Sequence, residues 1–420
     1  MHARARHWLY AAMGVAQIAI TLTAHSPAWA TDPIKVGIGL PLTGGLAPTG
    51  KAMLLTQQMW VEQVNAKGGL LGRPIQLVYY DDQSSPATDP GIYTKMLDVD
   101  HVDVLLGNGT NSVSSAMPIV VQHNKTIMAM FALAVNDRFD YPRYFQIMPY
   151  GPAGKDEISR GFFETAMTIK PMPQSVALVG ADAEFAINAL EGARAHAKRF
   201  GLKIVYDQRY PPNTIDFGPV VRAIKATNPD LVFVGGYPPD SAGIVRAVLE
   251  TNLKAAMFGG GMVGFQYAAF KQQFGGSLNG LVNYELFVHE PTLRFAGVDQ
   301  FITEYRKRAV GAGVDQLGFY IPPFTYAALQ VLEQAISGAG GIDDEKLATY
   351  MHEHRFSTIV GEISFNKRGE WTEPQILMTQ FQHVKGNDLA QFDQTGTQVV
   401  LYPPKFKSGE LVYPFPPNGN

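Results

Sequence analysis

Short apolar runs of β type alternate with helical patterns along this chain, and the whole alternation restarts midway. Strand patterns over 34–40, 75–80, 102–106, 126–131 and 144–148 are separated by helical spacing over about 49–67, 91–97 and 112–123. Leu54, Met59, Trp60 and Val64 share one face of the first helix, and Gly68-Gly69 stops it. Strands joined through helices of this length imply right-handed βαβ units and a parallel sheet. A second set follows, with strands over 175–180, 203–207, 230–234, 255–258 and from 281, and helices over 184–200, 217–227 and 241–251. Val102-Asp103-Val104-Leu105-Leu106-Gly107 and Pro229-Asp230-Leu231-Val232-Phe233-Val234-Gly235 stand at the same step of each half. The expectation is an α/β protein of two Rossmann-like lobes with parallel sheets.

Beyond residue 285 the pattern returns to helix over 301–310 and 325–336, the second ending at Gly338. Strand patterns at 362–365 and 376–381 then place a third passage between the lobes near Gly361. Five prolines (Pro403, Pro404, Pro414, Pro416 and Pro417) make 401–420 an extended tail without regular pairing.

The first 30 residues read as a secretory leader. Arg4 and Arg6 precede an apolar run from about Leu9 to Leu22, and Ala28-Trp29-Ala30 sets cleavage after Ala30. The run is shorter than the ~20 residues of a spanning helix. Loss of two arginines and no acid makes the mature balance more negative than the −3 of the whole chain, which excludes the basic footprint of a nucleic-acid binder. Export brings the chain to an oxidising compartment, yet it has no cysteine, so disulfides, thiolate metal sites and cysteine nucleophiles are excluded. The expected product is a soluble periplasmic monomer.

Few motifs carry chemistry of their own. Gly107-Asn108-Gly109-Thr110-Asn111-Ser112 follows a strand and opens a helix, where free N–H groups and the helix dipole favour an anion. An ordinary glycine turn with a serine cap fits the same residues. No Gly-Lys-Ser/Thr ends this loop, and Gly37-Ile38-Gly39-Leu40-Pro41 lacks the third glycine of a dinucleotide site, so no nucleotide cofactor is expected. His352-Glu353-His354 places its histidines on opposite sides of a helix and reads as a solvated pair, not a metal site. Asp81-Asp82 precedes Ser84, Ser85 and Pro86 and reads as a helix cap ahead of a catalytic pair. No nucleophile elbow or zinc-protease motif is present, and no catalytic residue is assigned.

The chain resembles the substrate-binding proteins of hydrophobic amino-acid ABC uptake systems, the leucine/isoleucine/valine-binding class. The resemblance rests on Ile34-Lys35-Val36-Gly37 with Pro41-Leu42-Thr43-Gly44, Asn65-Ala66-Lys67-Gly68-Gly69, Tyr80-Asp81-Asp82-Gln83, Thr214-Ile215-Asp216-Phe217, Pro229-Asp230, Gly235-Gly236-Tyr237 and Gly361-Glu362-Ile363-Ser364-Phe365 with Gly369, in family order over essentially the whole mature chain. It implies a type I periplasmic-binding fold, two lobes joined by three hinge strands and closing on a ligand. The lobes would comprise 31–149 with 284–360, and 150–283 with 361–400. It also implies a small-molecule ligand and an inner-membrane permease with its ATPase as partners. By the same resemblance Asn111 and Ser112 fall at the ligand carboxylate, and Phe185 and Tyr237 at the aromatic contacts of the second lobe. Ala134 stands where amino-acid binders have Thr, and Gly261 where they have the acid that pairs with the ligand ammonium. Phe131 replaces a small residue or Pro. Thr49, Asp182 and Phe265 are further candidate contacts.

Capture of a small organic solute for a permease is therefore the leading function. A ligand sensor on the same fold is the alternative, and a secreted hydrolase would need a nucleophile–base pair that the motifs do not supply. An unpaired ammonium in a closed cleft costs several kcal/mol. Gly261 and Ala134 thus point to an apolar or aromatic carboxylate or amide over leucine or valine, unless Asp182, Glu184 or Asp240 replaces the missing acid.

Overall fold

The computed structural model describes residues 31–416; the expected leader and its cleavage after Ala30 lie outside the described residues. The first lobe opens with β1 (Ile34–Leu40), α1 (Ala47–Ala66), β2 (Ile75–Asp81), α2 (Asp89–Asp98), β3 (Val104–Gly107), α3 (Thr110–Gln122), β4 (Ile127–Ala129), the single turn α4 (Asn136–Phe139) and β5 (Tyr144–Gln146). Its sheet runs β2-β1-β3-β4-β5, parallel throughout. Val104 and Leu106 pack with Trp60 and Met59 in one cluster, while Leu105 and Ile127 pack with Val113 and Met117 in another. Burial on both faces is why these strands read as continuous apolar runs.

The second lobe holds α5 (Gly154–Ala166), β6 (Ser175–Ala181), α6 (Glu184–Arg199), β7 (Lys203–Tyr210), α7 (Gly218–Ala226), β8 (Leu231–Gly236), α8 (Pro238–Thr251), β9 (Met257–Met262), α9 (Ala268–Phe274) and β10 (Val282–Glu285). The chain then returns to the first lobe as α10 (Val298–Ala312), α11 (Ile321–Ala339), α12 (Asp344–Glu353) and the hairpin β11 (Arg355–Thr358) and β12 (Gly361–Ser364). β13 (Leu377–Phe381) and β14 (Gln398–Tyr402) finish the second sheet, whose order is β14-β13-β10-β9-β8-β6-β7. β6 to β10 are parallel as expected, but β13 and β14 add antiparallel pairing at one edge.

Four local differences from the sequence reading have physical causes. α11 runs through Gly338 and ends at Gly340, which has φ +68°. A Cβ on Gly338 would lie 2.1 Å from the Tyr350 ring, so this glycine lets α12 pack closely and is no helix stop. β9 begins at Met257 and continues through Gly259-Gly260-Gly261, where the sequence reading ended a strand at 258. Cβ atoms there would fall 1.6 Å from the Val282 carbonyl oxygen at Gly259 and 2.5 Å from the Phe233 ring at Gly260, so the glycines permit tight layering inside the sheet. The third passage lies beyond Gly361: β12 pairs only with β11, Phe365 packs on Phe145, and Gly369 accepts from the Gln146 N–H, so the chain crosses at 372–376. There the Gln375 N–H donates to Pro149 O at 2.8 Å, joining the first and third passages. Finally, the proline-rich tail, described to residue 416, is paired and in part coiled where an extended, unpaired run was expected: Leu401 and Tyr402 belong to β14, Pro404–Phe406 form a 3-10 turn, and Phe415 exchanges both backbone hydrogen bonds with Ala255 while its ring stacks on Phe258 at 4.9 Å. Pro417 lies outside the described residues.

Candidate functional site

The C-terminal ends of both parallel sheets face each other, and the helices that follow them begin in the cleft between. β3 ends at Gly107 and α3 starts three residues later, after Gly109, with no side chain capping its N-terminus. From the opposite lobe α6 starts after Ala183, which gives no cap of its own. Asn111 joins the two helix starts. Its Oδ1 accepts from the Phe185 N–H at 3.3 Å, and its amide meets the Tyr237 hydroxyl at 2.9 Å (Nδ2) and 3.1 Å (Oδ1). Two N-termini with their positive dipole ends thus converge on one amide.

Phe185 and Tyr237 stand together, with ring centroids 5.9 Å apart. Phe131 packs on Tyr320 at 5.5 Å, and the loop carrying it and Ala134 is pinned by Thr110, whose hydroxyl donates to Phe131 O and accepts from the Leu133 N–H. Both Phe131 and Ala134 adopt positive φ in this loop (57° and 56°). Thr49, in the first turn of α1, reaches across to Tyr267 of the second lobe with Oγ1 to Oη at 2.5 Å.

Other candidates lie elsewhere. Ser112 turns its hydroxyl under the loop, where Oγ meets Asn108 Nδ2 at 3.1 Å and the same amide also serves Asp82 and Gly39 O. Its side chain therefore joins the buried polar cluster of the first lobe, and what it offers the cleft is its position at the helix start. Gly261 lies within β9, where a Cβ would meet Val234 O, Phe233 and Ala189 at 3.4–3.8 Å, between sheet and helix and not among the cleft groups. Phe265 is fully buried against Phe270 and Phe274 because Gly264, at φ +126°, turns the chain inward after β9. Asp182 is half exposed and paired with Arg209 at 2.9 Å. Asp240 accepts from the Tyr237 N–H at 3.2 Å and the Tyr210 hydroxyl at 3.3 Å, so it too is committed.

The motifs set aside in the sequence are engaged in structure. Asp81 accepts from the backbone N–H groups of Leu42, Thr43 and Gln83 and from the Thr43 hydroxyl, stapling the loop after β1. His352 points its two ring nitrogens at the carbonyls of Asn366 and Pro142, and His354 stacks on Tyr350. Among the described residues no cluster of metal-ligating side chains occurs, and no helix is long and apolar enough to cross a membrane.

Four buried tyrosines escape sequence reasoning. Tyr284 on β10 and Tyr320 before α11 join hydroxyls at 2.5 Å; Tyr267 packs edge-on to Tyr320 at 5.6 Å; Tyr150, at the first passage, is buried as well. Burial pushes the phenols of Tyr267, Tyr284 and Tyr320 up, and that of Tyr237 likewise, so all remain neutral. With Phe185 lying 6.4 Å from Tyr284, the rings form a continuous wall from Tyr237 to Thr49. The nearest sequence candidate was Phe265; after the turn at Gly264 it is Tyr267, two residues further on, that meets Thr49 across the lobes.

Comparison with known proteins agrees with this architecture. The profile of a family described as periplasmic binding protein matches residues 33–386. The Leu/Ile/Val-binding protein homolog 2 of Brucella abortus (strain 2308) is 25% identical over 357 residues, covering 84% of this chain and 91% of that protein. A solute-binding protein of an ABC transporter from Rhodopseudomonas palustris BisB5, solved with 3,4-dihydroxy benzoic acid, superposes with TM-score 0.72 at 20% identity, covering 85% of this chain and 95% of its own. A second R. palustris solute-binding protein, solved with benzoate, gives TM-score 0.73 at 17% identity, covering 90% and 98%.

Proposed function

Because the chain belongs to the periplasmic binding protein family, we propose that it captures one carboxylate-bearing small solute between its lobes and delivers it to an inner-membrane ABC permease with its ATPase. It works in the periplasm as a monomer, after removal of its leader, and without converting its ligand. The observation that carries the carboxylate is the meeting of the α3 and α6 N-termini at Asn111, α3 without a side-chain cap and α6 held only through its Phe185 N–H by Asn111 itself. An anion placed there gains from two helix dipoles, one supplied by each lobe, and so favours the closed form.

The same cleft is poor in partners for a cation. Asp182 and Asp240 are engaged by Arg209, Tyr210 and the Tyr237 N–H, and Gly261 is turned into the sheet layer. Glu184, the remaining acid near Tyr237, stands at the α6 N-terminus, where the positive dipole end offsets its charge and disfavours an ammonium. A ligand ammonium would be buried against aromatic rings at a cost of several kcal/mol. An aromatic acid fits the wall better than leucine, and two structural neighbours hold benzoate and 3,4-dihydroxy benzoic acid.

Two measurements test this. Benzoate at ~100 times its Kd should stabilise the mature protein by about 2.7 kcal/mol and raise its Tm, and calorimetry should show leucine weaker than the matched acid without the amino group. Asn111→Ala should weaken benzoate roughly ten- to hundredfold by removing a hydrogen-bonding group at the anion. Ser112→Ala should change affinity far less, because its hydroxyl faces Asn108. Tighter leucine binding, an unchanged Asn111→Ala variant, or turnover of ligand would each count against the reading.

A further inference from the structure

The cleft wall carries more hydroxyl protons than it has acceptors for. Tyr284 and Tyr320 place their hydroxyl oxygens 2.5 Å apart, so one of their two protons bridges the pair. Thr49 and Tyr267 do the same at 2.5 Å across the lobes. In each pair the second proton has no hydrogen-bond acceptor among the described residues. Nearby carboxylates do not serve: Glu285, next to Tyr284 in sequence, accepts from Gln398 at 2.8 Å, and Asp315 accepts from the N–H groups of Ala268 and Gly318. The phenols are neutral and buried, so they remain donors. A buried donor without a partner is costly, and an acceptor on the ligand would recover that cost.

We propose that the Tyr284–Tyr320 pair, supported by Thr49–Tyr267, is a second recognition point that reads an uncharged oxygen, a hydroxyl or carbonyl, on the ligand end remote from its carboxylate. This rests on the carboxylate reading given above. The Phe185 ring lies between Tyr237 and Tyr284, 5.9 and 6.4 Å from them, so one aromatic ring of ligand lies alongside it with an oxygen at each end. The second oxygen is uncharged because the two helix starts here offer few free N–H groups and no free cation stands by among the described residues. α11, which begins after Tyr320, has Pro322 and Pro323 in its first turn, and the first-turn N–H groups of α1 at Ala47, Thr49 and Gly50 donate to the Gly44 and Leu46 carbonyls. The buried Lys271 donates to Gln398 and sits over the Phe381 and Phe392 rings. A second carboxylate there would be desolvated without a partner.

Calorimetry with benzoate and 4-hydroxybenzoate, on the mature wild type and on Tyr320→Phe, Tyr284→Phe and Asn111→Ala, tests the proposal. The wild type should bind 4-hydroxybenzoate about tenfold or more tightly than benzoate, since a site built to hydrogen-bond a hydroxyl discriminates against the analogue lacking it. Either tyrosine variant should reduce that ratio to within about threefold, and their melting curves report whether they fold. A wild-type ratio near one, or a ratio preserved in both folded tyrosine variants, overturns the second recognition point while leaving the carboxylate site standing. Unchanged affinity of both acids in Asn111→Ala, or no binding of either acid by the wild type, overturns the carboxylate reading and with it this inference.

Discussion

Asp89→Asn is expected to stabilise the protein at pH about 8 by up to about 4 kcal/mol, with the gain vanishing toward pH about 4. Asp89 opens α2 and is completely buried against β1, where a Cβ on Gly39 would come within 2.9 Å of its Oδ1. Neither carboxyl oxygen makes a well-formed hydrogen bond. Burial pushes this acid from 3.8 up to about 7, opposed by the nearby Ser112 hydroxyl and reinforced by the Asp82 carboxylate. Between pH about 4 and about 7 the native chain holds a proton that the unfolded chain has released. Stability therefore falls as pH rises through this window and is level above it. Asparagine has the shape of the protonated acid and no charge to desolvate, so its advantage grows across the same window. Melting temperature against pH for both proteins isolates the residue together with its coupling to Asp82, since groups that do not interact with Asp89 cancel in the difference. Parallel curves from pH about 4 to about 8 would show that Asp89 does not titrate there.

The two-lobed plan was legible because buried parallel strands need near-continuous apolar runs and the crossover helices need amphipathic spacing. Both signals are local, and both halves repeat them. The site was legible only where one segment determines the geometry. Asn111 stands at a helix start fixed by Gly107 and Gly109, and Phe185 and Tyr237 follow strand ends in the same way. Ser112, one residue further on, was misplaced because the turn of a helix swings consecutive side chains by about 100°, so Asn111 and Ser112 cannot face the same way. The tyrosine wall could not be read at all. Thr49 and Tyr267 are separated by 218 positions and meet only when the lobes close, and no periodicity within either segment records the other. Tyr320 precedes Ile321-Pro322-Pro323, where local pattern reports only the start of a helix.

Gly261 offers the sharpest contrast between aligned position and physical position, and Gly261→Asp should expose it. If this residue stood at the mouth of the cleft, an acid there would supply the missing ammonium partner and leucine would bind more tightly. In the structure the position is an interior residue of β9, paired with Gly235 of β8. A side chain would rise between Val234 O, the Phe233 ring and the Ala189 methyl, all of them buried. The nearest groups at that point are a carbonyl oxygen, a ring and a methyl, none of them a donor for a carboxylate, so burying one there costs several kcal/mol. The expected result is a protein that melts far below the wild type or fails to fold, with no gain for leucine. Gly261→Ala separates charge from size. Its Cβ would make ordinary contacts at 3.4–3.8 Å, and the backbone there does not need positive φ, so the alanine variant should fold and melt within about 1 kcal/mol of the wild type. The neighbouring Gly259→Ala, by contrast, should be lost, because its Cβ would lie 1.6 Å from the Val282 carbonyl oxygen of the adjacent strand. A folded Gly261→Asp protein with raised leucine affinity would place β9 differently and restore the amino-acid reading of the cleft.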